Sequence, residues 1–546
     1  MKTRIKKEFF RIALSTLVIF VLFGCKQSLF EGNKKYTEEE LYRPNFHFTP
    51  KKGWMNDPNG MFYKNGYYHL FYQHNPDANV WGPMHWGHAI SADLITWTEK
   101  PIALYPDEKG YIFSGSAVVD EKNTSGFGTL ENPPIVAMFT YHDMKKEKAG
   151  VTNFQSQGIA YSLNEGLTWT KYEANPIIKN PNIKDFRDPK MTWDAIHQQW
   201  LMVLAAGDKT MFYGSKNLRE WELLSDFGKD IGAHGGVWEC PDFFPIQVEG
   251  TEDYKWVMLL SINPGGPNGG SATQYFVGDF PNGGSATQYF VGDFDGKTFV
   301  LDKNFSQDIK KQKALYIDYG RDNYAGVTWS NISEVDGRKL FIGWMSNWDY
   351  AQKVPTEKWR SSMTIARELK LLKESNQYRL SSEPVRELKN YISKTIKKQS
   401  LKIDKETVLT DQSLVDLSKV EIRFTLKDLK KDVYTFLLSN KSGNAIRFGI
   451  NKNDNYFFID RSKSSNIAFS DVFANKISKA PFTGDFDTLE VRVIVDKTSI
   501  EVFYNNGKTV MTEIFFPEKP MKYFSVSKAE AEYTIENLII NQLNFN

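Results

Sequence analysis

The chain has 546 residues, enough for two or three domains, and its 41% of hydrophobic and 25% of charged residues are ordinary for a globular protein. Lys and Arg number 68 against 66 Asp and Glu, a near balance that argues against a nucleic-acid partner. Aromatic residues make up 14% of the chain. Such a high share suits a β-rich core, and it also suits a site that stacks sugar rings on aromatic faces.

The first 25 residues are predicted to be an export signal. Basic residues precede an apolar run, Ile12 to Phe23, that is too short to span a membrane comfortably. The run ends in Leu22-Phe23-Gly24-Cys25, which resembles a bacterial lipoprotein signal in which Cys25 is lipidated; an ordinary signal peptide or a short anchor is the alternative. The other cysteine is Cys240, so a lipidated Cys25 leaves no disulfide in the mature chain. We expect lipid anchoring in the bacterial cell envelope, in the periplasm or at the cell surface.

Residues 26–40 are polar and are predicted to form a flexible tether. Between about 41 and 385, short apolar and aromatic runs are separated by Gly, Pro, Asn and Asp, which is typical of all-β structure. A pattern of strand, serine, turn and tryptophan recurs and ends at Trp97, Trp169 and Trp221. Repeats spaced by roughly 50 to 80 residues predict the blades of a β-propeller, with a large β-sandwich as the alternative.

An identical tandem repeat lies in the same region. The segment Pro267 to Phe280 is followed at once by a second copy, Pro281 to Phe294. Complete identity indicates a recent duplication or an error in the sequence record. Only one copy can occupy a given strand, so we expect the other to be looped out or to shift the strand register.

The character of the sequence changes near residue 385. Residues 386–400 are predicted to be a linker, which overlaps a helix-like or linker segment from Leu380 to Ile396. From 401 to 546, short strands alternate apolar and polar residues, and Asn505-Asn506-Gly507 is a hairpin signal. This pattern predicts a β-sandwich, which we expect to brace the first domain rather than to bind sugar.

Three acidic residues stand out by their neighbours. Asp57 lies in the stretch Gly53 to Gly60, where Asp-Pro and Asn-Gly signal rigid turns. Asp188 follows Arg187, and an adjacent guanidinium keeps a carboxylate ionised. Glu239 lies between a tryptophan and a cysteine, an apolar setting that favours the protonated form. Each alone fits a turn or a salt bridge, but together they offer the charged carboxylate and the proton donor that glycosidases need.

Other catalytic patterns are not found in the sequence. It has no Cys/His cluster of metal-ligand spacing, no GxSxG motif and no phosphate-binding loop. The eight histidines are scattered, and we interpret them as structural or pocket-lining residues. No cofactor and no metal ion are expected.

The acidic stretches resemble the signature blocks of glycoside hydrolase family 32, which contains invertases, inulinases, levanases and fructosyltransferases. The similar stretches are Trp54–Gly60, Arg187–Pro189, Glu239–Pro241, Trp81–His88, Phe113–Ser116 and Trp359–Met363. The resemblance covers nearly the whole chain after the signal. It implies an all-β fold, a five-bladed β-propeller followed by a C-terminal β-sandwich.

The resemblance also implies roles for individual residues. Asp57 would be the nucleophile that forms a covalent fructosyl-enzyme, and Glu239 would be the general acid and then the general base. Asp188 would bind fructose hydroxyls and stabilise the transition state, assisted by Arg187. The residues implied to line the fructose pocket are Trp54, Asn56, Gln73, Trp81, Ser114, Arg187 and Trp344.

The stretch Trp81–His88 and the export signal favour an exo-acting β-fructosidase that releases terminal fructose from levan or inulin, and that also accepts sucrose. An endo-levanase and a fructosyltransferase of the same family are the alternatives. A hypothesis of another class is a sugar-binding propeller whose catalysis is impaired by the duplication at 267–294. The three acids lie outside that segment, which favours retained activity. The sequence leaves the oligomeric state open.

Overall fold

The structure is a computed structural model that describes residues 40–268, 286–312, 314–482 and 484–545. Strands dominate these residues, which confirms the all-β prediction. The predicted signal with Cys25, and all but the last residue of the predicted tether, lie outside the described residues. In the described part of the chain, no helix is long and apolar enough to cross a membrane.

Five sheets follow one another between residues 53 and 384. The first four contain β1 (Gly53–Lys64), β2 (Tyr67–Asn75), β3 (His85–Ser91) and β4 (Thr98–Leu104); β5 (Tyr111–Val119), β6 (Ile135–His142), β7 (Gln155–Ser162) and β8 (Thr170–Lys171); β9 (Phe186–Asp194), β10 (Gln199–Ala206), β11 (Lys209–Ser215) and β12 (Glu222–Phe227); and β13 (Val237–Gln247), β14 (Tyr254–Asn263), β15 (Ala286–Phe294) and β16 (Phe299–Leu301). The remaining strands of this region are β17 (Tyr324–Thr328), β18 (Lys339–Met345), β19 (Trp359–Arg360), β20 (Ser362–Met363), β21 (Arg367–Glu374) and β22 (Gln377–Pro384). All of these except β19 form the fifth sheet.

The five sheets are arranged in a ring. Their first strands, β1, β5, β9, β13 and β17, are the innermost strands: each contacts the next, and β17 contacts β1. Strand β19 leaves the last sheet and pairs in parallel with β1, which fastens the ring. A closed ring of small antiparallel sheets is a β-propeller, so the propeller prediction is confirmed.

Apolar packing between neighbouring sheets holds the ring together. The middle strands β6, β10 and β14 are buried over almost their whole length, because both of their faces meet a neighbouring sheet. Trp86 is fully buried, and its Nε1 donates a hydrogen bond of 3.0 Å to the carbonyl of Phe113 in the second sheet. Packing of this kind fixes the inner strands, on which the site residues lie.

In the part of the chain that the structure describes, two short α-helices interrupt the strands. Helix α1 (Met144–Lys148) lies in the β6–β7 connection, where the Asp143 carboxylate accepts hydrogen bonds from the first-turn amides of Lys145 and Lys146. Helix α2 (Lys303–Gln312) lies between β16 and β17.

The C-terminal part of the chain forms two six-stranded antiparallel sheets. Its strands are β23 (Ile392–Ile403), β24 (Thr407–Asp411), β25 (Lys419–Lys427), β26 (Val433–Ser439), β27 (Ala445–Asn451), β28 (Tyr456–Lys463), β29 (Ser478–Pro481), β30 (Leu489–Asp496), β31 (Ser499–Tyr504), β32 (Thr509–Ile514), β33 (Tyr523–Val526) and β34 (Tyr533–Leu543). One sheet has the order β23-β34-β25-β30-β31-β32 and the other β24-β33-β26-β27-β28-β29. The two sheets share one apolar core, which confirms the predicted β-sandwich.

The predicted linker at 386–400 needs correction. A 3-10 helix occupies Arg386–Tyr391, and β23 then begins at Ile392 and pairs with β34. The segment is predicted from the sequence to be a linker because its first part has a helix-like pattern and no strand alternation. Strand β23 lies at the edge of its sheet with most of its side chains exposed, and edge strands commonly carry lysines.

The duplicated segment supplies one strand from its second copy. Residues 286–294 form β15, which pairs regularly with β14 from Trp256 opposite Gly292 to Ile262 opposite Ala286. Most of the first copy falls in residues 269–285, outside the described residues. The fourth sheet is therefore built with one copy in an unbroken register.

Buried ion pairs join the propeller to the sandwich. The Arg367 guanidinium of β21 is fully buried and contacts Asp318 at 2.9 Å and Glu501 of β31 at 2.5 Å. Arg461 of β28 contacts Asp322 at 2.5 Å, and both side chains are buried. Removing one partner of such a pair leaves an uncompensated charge, so these contacts hold the two parts in one arrangement. This agrees with the expected bracing role of the sandwich.

Candidate active site

Every innermost strand carries an irregularity in its pairing near one end of the ring. The register shifts lie at Asp57 in β1, Ser114 in β5, Asp188-Pro189 in β9, Cys240-Pro241 in β13 and Ala325-Gly326 in β17. A β-bulge leaves residues unpaired and redirects the neighbouring side chains, and bulges are common beside active sites. The Asp-Pro and Cys-Pro pairs explain two of them, because proline cannot donate to the ladder.

Three of these positions have unusual backbone angles. Asp188 has φ of 62°, Cys240 has φ of 48° and Ala325 has φ of 52°, in the left-handed region that residues with a side chain rarely adopt. Such conformations persist only where surrounding contacts hold them, and they cluster at functional sites. The backbone amide of Cys240 donates to Asp188 Oδ2 at 3.0 Å, so the strained positions at Asp188 and Cys240 support each other.

A cavity of about 210 Å³ opens between the innermost strands at this end, and Asp57, Asp188 and Glu239 all line it. The structure thus brings together the three acids that the sequence singled out. Five of the predicted pocket residues also line the cavity: Asn56, Gln73, Trp81, Ser114 and Arg187. Asp57 Oδ1 and Gln73 Nε2 are buried and have no hydrogen-bond partner among the described residues, so both can bind a sugar hydroxyl.

Trp54 and Trp344 do not line the cavity, which corrects their predicted direct contact with the sugar. Both are fully buried and pack against Trp348, which does line it. Trp54 supports a residue of the cavity lining, because its Nε1 donates a hydrogen bond of 2.7 Å to Oδ1 of Asn56. The sequence offered the right tryptophans but not their layering, since a fully buried and a pocket-facing tryptophan have the same local pattern.

Arg187 contacts three carboxylates, and Asp188, the partner that the sequence suggested, is the most distant of them. Its Nη2 lies 2.7 Å from Glu239 Oε1 and its Nη1 lies 2.6 Å from Asp185 Oδ1. Its Nε is 3.9 Å from Asp188 Oδ2. The guanidinium therefore pairs first with Glu239 and Asp185, because neighbouring residues of a strand point to opposite sides.

The surroundings of Glu239 are more polar than its neighbours in sequence suggested. Trp238 does not line the cavity. Its ring stacks on that of His234, with the ring centroids 5.0 Å apart. Besides Arg187, Glu239 accepts a short hydrogen bond from the hydroxyl of Tyr324, which is fully buried. Trp238 therefore does not provide the predicted apolar flank, and Glu239 is held by one cation and one phenol.

Asp57 and Asp188 both have raised pKa values. Burial, together with the charges of Glu239 and Asp188, raises the pKa of Asp57 from 3.8 to about 8. Burial also raises the pKa of Asp188 to about 6, although Arg187 opposes the rise. Closely spaced carboxylates cannot all be ionised, so the cluster retains a proton near neutral pH. One charged and one protonated carboxylate is the combination that a retaining glycosidase uses.

This cluster should cost stability in a pH-dependent way. The unfolded chain releases the Asp57 proton near pH 4 and the folded protein only near pH 8, so the free energy of unfolding falls as pH rises through that window. We expect Asp57→Asn to be more stable than the parent by at least about 2 kcal/mol at pH 8, with little difference at pH 4. Denaturant unfolding of both proteins at the two pH values measures this. A difference that does not change with pH would contradict the raised pKa.

Several pocket residues had no signal in the sequence. Tyr324 becomes meaningful only once the ring brings β17 beside β13, and Asp185 only through its contact with Arg187. His142 lines the cavity with its ring stacked on Phe113 at 4.1 Å. A contact map between blades could have found these residues, but local patterns could not.

A larger depression of about 900 Å³ lies at the opposite end of the innermost strands, lined in part by Lys64, Val119 and Trp193. None of the three acids lines it, so it is not the catalytic pocket. Among the residues that the structure describes, no group of three or more His, Cys, Asp or Glu side chains is placed to hold a metal ion.

A propeller whose inner strands present three carboxylates to one small pocket defines the class of β-propeller glycosidases. Comparison with known proteins identifies the family. Residues 47–384 match the glycosyl hydrolases family 32 N-terminal domain, and residues 387–542 match the family 32 C-terminal domain. The chain belongs to glycosyl hydrolases family 32.

Relatives and solved structures agree with this membership. The chain is 42% identical over 542 residues to the levanase of Bacillus subtilis (strain 168), a match that covers 98% of this chain and 75% of that protein. The exo-inulinase structure from Aspergillus awamori superposes with a TM-score of 0.80 at 34% identity, covering 93% of this chain and 99% of that one. The fructofuranosidase of Schwanniomyces occidentalis complexed with fructose gives a TM-score of 0.80 at 35% identity, covering 93% and 100%.

Proposed function

We propose that the chain is a retaining exo-β-fructosidase that releases terminal fructose from levan or inulin and also cleaves sucrose. The observation that carries the proposal is the convergence of Asp57, Asp188 and Glu239 on one cavity of about 210 Å³. The levanase and exo-inulinase relatives support fructans as the substrate class. The small cavity supports exo action, because it has room for about one sugar unit at its floor.

The geometry supports a two-step displacement. Asp57 attacks the anomeric carbon of the fructosyl unit, and an oxygen–carbon bond to Asp57 forms as the glycosidic carbon–oxygen bond breaks. Glu239 gives its proton to the departing oxygen. Glu239 then takes a proton from water, which attacks the same carbon and releases fructose and the free Asp57 carboxylate.

Binding of the sugar would favour the charged form of Asp57 that the attack needs. Burial and the neighbouring carboxylates raise the pKa of Asp57, whose Oδ1 has no hydrogen-bond donor among the described residues. A fructose hydroxyl that donates to Asp57 would stabilise its charged form and lower its pKa. Asp188 is well placed to hold further hydroxyls, since Cys240 fixes one of its oxygens from behind.

The products formed over time test this proposal. The purified chain is incubated with levan, inulin and sucrose, and early samples are separated by size. We expect fructose to be the product from the first time point. A ladder of oligosaccharides would indicate endo action, longer fructans a fructosyltransferase, and no released sugar from any substrate would contradict the enzyme proposal.

The duplicated segment allows a direct test of the impaired-propeller alternative. Because the two copies are identical, removing 281–294 gives the same sequence as removing 267–280, and β15 keeps its residues. We expect the full chain and the shortened chain to release fructose at rates within about threefold of each other, because all three acids precede the repeat and lie on strands other than β15. Activity confined to the shortened chain would support damage by the duplication.

We also propose that Cys25 is lipidated and anchors the protein in the bacterial cell envelope, in the periplasm or at the cell surface. The support is the basic start, the short apolar run and the cysteine that ends it. Cys25→Ser should move the activity from the membrane fraction to the soluble fraction. An unchanged distribution would contradict lipid anchoring.

A further inference from the structure

A second set of polar side chains lies on the innermost strands, a few residues further along each strand than Asp188, Glu239 and Tyr324. Lys190 of β9, Asp242 of β13 and Thr328 of β17 are buried and contact one another across three strands. We call these three residues the axial cluster. None of them lines the substrate cavity.

The contacts within the axial cluster are short and mutual. Lys190 Nζ lies 3.1 Å from Asp242 Oδ2 and donates to the Thr328 carbonyl at 2.5 Å. The same Asp242 oxygen accepts from the Thr328 amide at 2.6 Å and from its Oγ1 at 2.7 Å. Asp242 thus accepts bonds from two neighbouring strands with one oxygen.

The position of the axial cluster connects it to the reaction. Lys190 lies two residues after Asp188, and Asp242 three residues after Glu239. Thr328 lies four residues after Tyr324, which binds Glu239. In β13 and β17 the bulge lies between the site residue and the cluster residue, and in β9 the bulge includes Asp188 and ends directly before Lys190.

Backbone pairing does not fix the spacing between these strands. β9, β13 and β17 belong to three different sheets, so no ladder of hydrogen bonds joins one to another. The bulges further remove ladder bonds within each sheet beside the acids. Side-chain contacts must therefore set the distance between Asp188, Glu239 and Tyr324. Arg187, Glu239 and Tyr324 form one such contact inside the cavity, and the axial cluster is a second charged contact, outside the cavity, that reaches all three strands.

Burying a charge at this place is costly. Asp242 is fully buried, and its Oδ1 has no hydrogen-bond partner among the described residues. Lys339, which lies near both charges of the cluster, has its pKa lowered by burial. A well-packed apolar trio would often be as stable as a buried ion pair. A directional contact, unlike an apolar one, fixes distances and angles.

We propose that Asp242 is a positioning residue of the active site, which holds β9, β13 and β17 at the spacing required by Asp188, Glu239 and Tyr324. The proposal rests on the proposed fructosidase activity, because that activity is its readout. Misplacing reacting groups by about 1 Å can reduce a rate about 100-fold without weakening ground-state binding. Loss of Asp242 should therefore act on kcat rather than on KM.

Two variants of different severity test the proposal on the full chain. Asp242→Asn keeps the size of the side chain but breaks the charge pair, and we expect kcat for fructose release to fall about 10- to 100-fold with KM within about twofold. Thr328→Val removes one hydroxyl donor to Asp242 and keeps the backbone bond, so we expect a folded protein with kcat lowered about threefold. If both Asp242→Asn and Thr328→Val have the same kcat as the parent, the proposal is overturned.

A double variant and a matched control separate positioning from stability. Lys190→Met with Asp242→Asn removes both charges of the Lys190–Asp242 pair, so it should recover thermal stability relative to Asp242→Asn while kcat stays low. Glu421→Gln changes an equally buried carboxylate in the sandwich, paired with Arg492 at 2.7 Å, and should lower stability with kcat within about twofold. If the double variant recovers kcat together with stability, the role of Asp242 is merely structural. The same holds if Glu421→Gln loses as much kcat as Asp242→Asn does. A parent chain that releases no fructose would instead contradict the proposed function.

Discussion

Asp57→Asn is expected to lower kcat for fructan hydrolysis by at least about 10⁴-fold, the largest effect of any single change considered. An amide of the same size keeps the pocket shape but cannot form the bond to the anomeric carbon. The measurement is the initial rate of fructose release from levan and inulin, with folding checked by thermal unfolding. Greater stability of this variant near pH 8 would accompany the loss, because the raised pKa of Asp57 destabilises the parent there.

A control for Asp57→Asn is Asp185→Asn, which removes a carboxylate from the same cavity. Asp185 contacts Arg187 at 2.6 Å and takes no part in bond making. We expect a loss of about tenfold, through a less firmly held Arg187. Equal losses in the two variants would mean that the local charge, and not a nucleophile at Asp57, carries the activity.

Glu239→Gln is expected to lower kcat for fructans about 10³-fold, because the leaving oxygen then departs without a proton. A fructosyl donor with a leaving group that needs no proton should be used much faster by this variant than fructan is. Azide should speed turnover of the same donor, since it can attack the fructosyl-enzyme without a general base. An equal loss on both kinds of donor would contradict the role of Glu239 as an acid.

Tyr324→Phe is a milder companion to Glu239→Gln. It removes only the hydroxyl that donates to Glu239 and keeps the ring that packs in the core. A loss of about tenfold in kcat is expected, since the Glu239 carboxyl remains but is less firmly oriented.

The pKa of Asp57 should fall in Glu239→Gln, because the Glu239 charge is one of the causes that raise it.

The sequence predicts the architecture well because the relevant signals are local. Alternating strands and turn residues specify all-β sheets, and the Asp-Pro pairs at Asp57 and Asp188 mark positions where the innermost strands do bulge. Strand β23 escaped prediction because it begins inside the helix-like segment that was predicted to be a linker, and only its pairing with β34 reveals a strand.

The details of the site depend on contacts between blades, which no local pattern contains. Arg187 directly precedes Asp188 in the sequence, which suggests Asp188 as its partner, yet its shortest contacts are to Asp185 and Glu239. Trp348 lines the pocket in front of Trp344, although both lie in the same short segment. Direction and layering of side chains follow from the bulges and the ring closure, so they appear only in the structure.

The most direct test of the central claim is to look for the covalent intermediate. Glu239→Gln is mixed with an activated fructosyl donor, quenched in acid and digested, and its peptides are weighed by mass spectrometry. We predict that the peptide containing Asp57 carries one fructosyl unit and that Asp57→Asn carries none. A fructosyl group on another residue, or no adduct while the donor is consumed with inversion of configuration, would contradict the account.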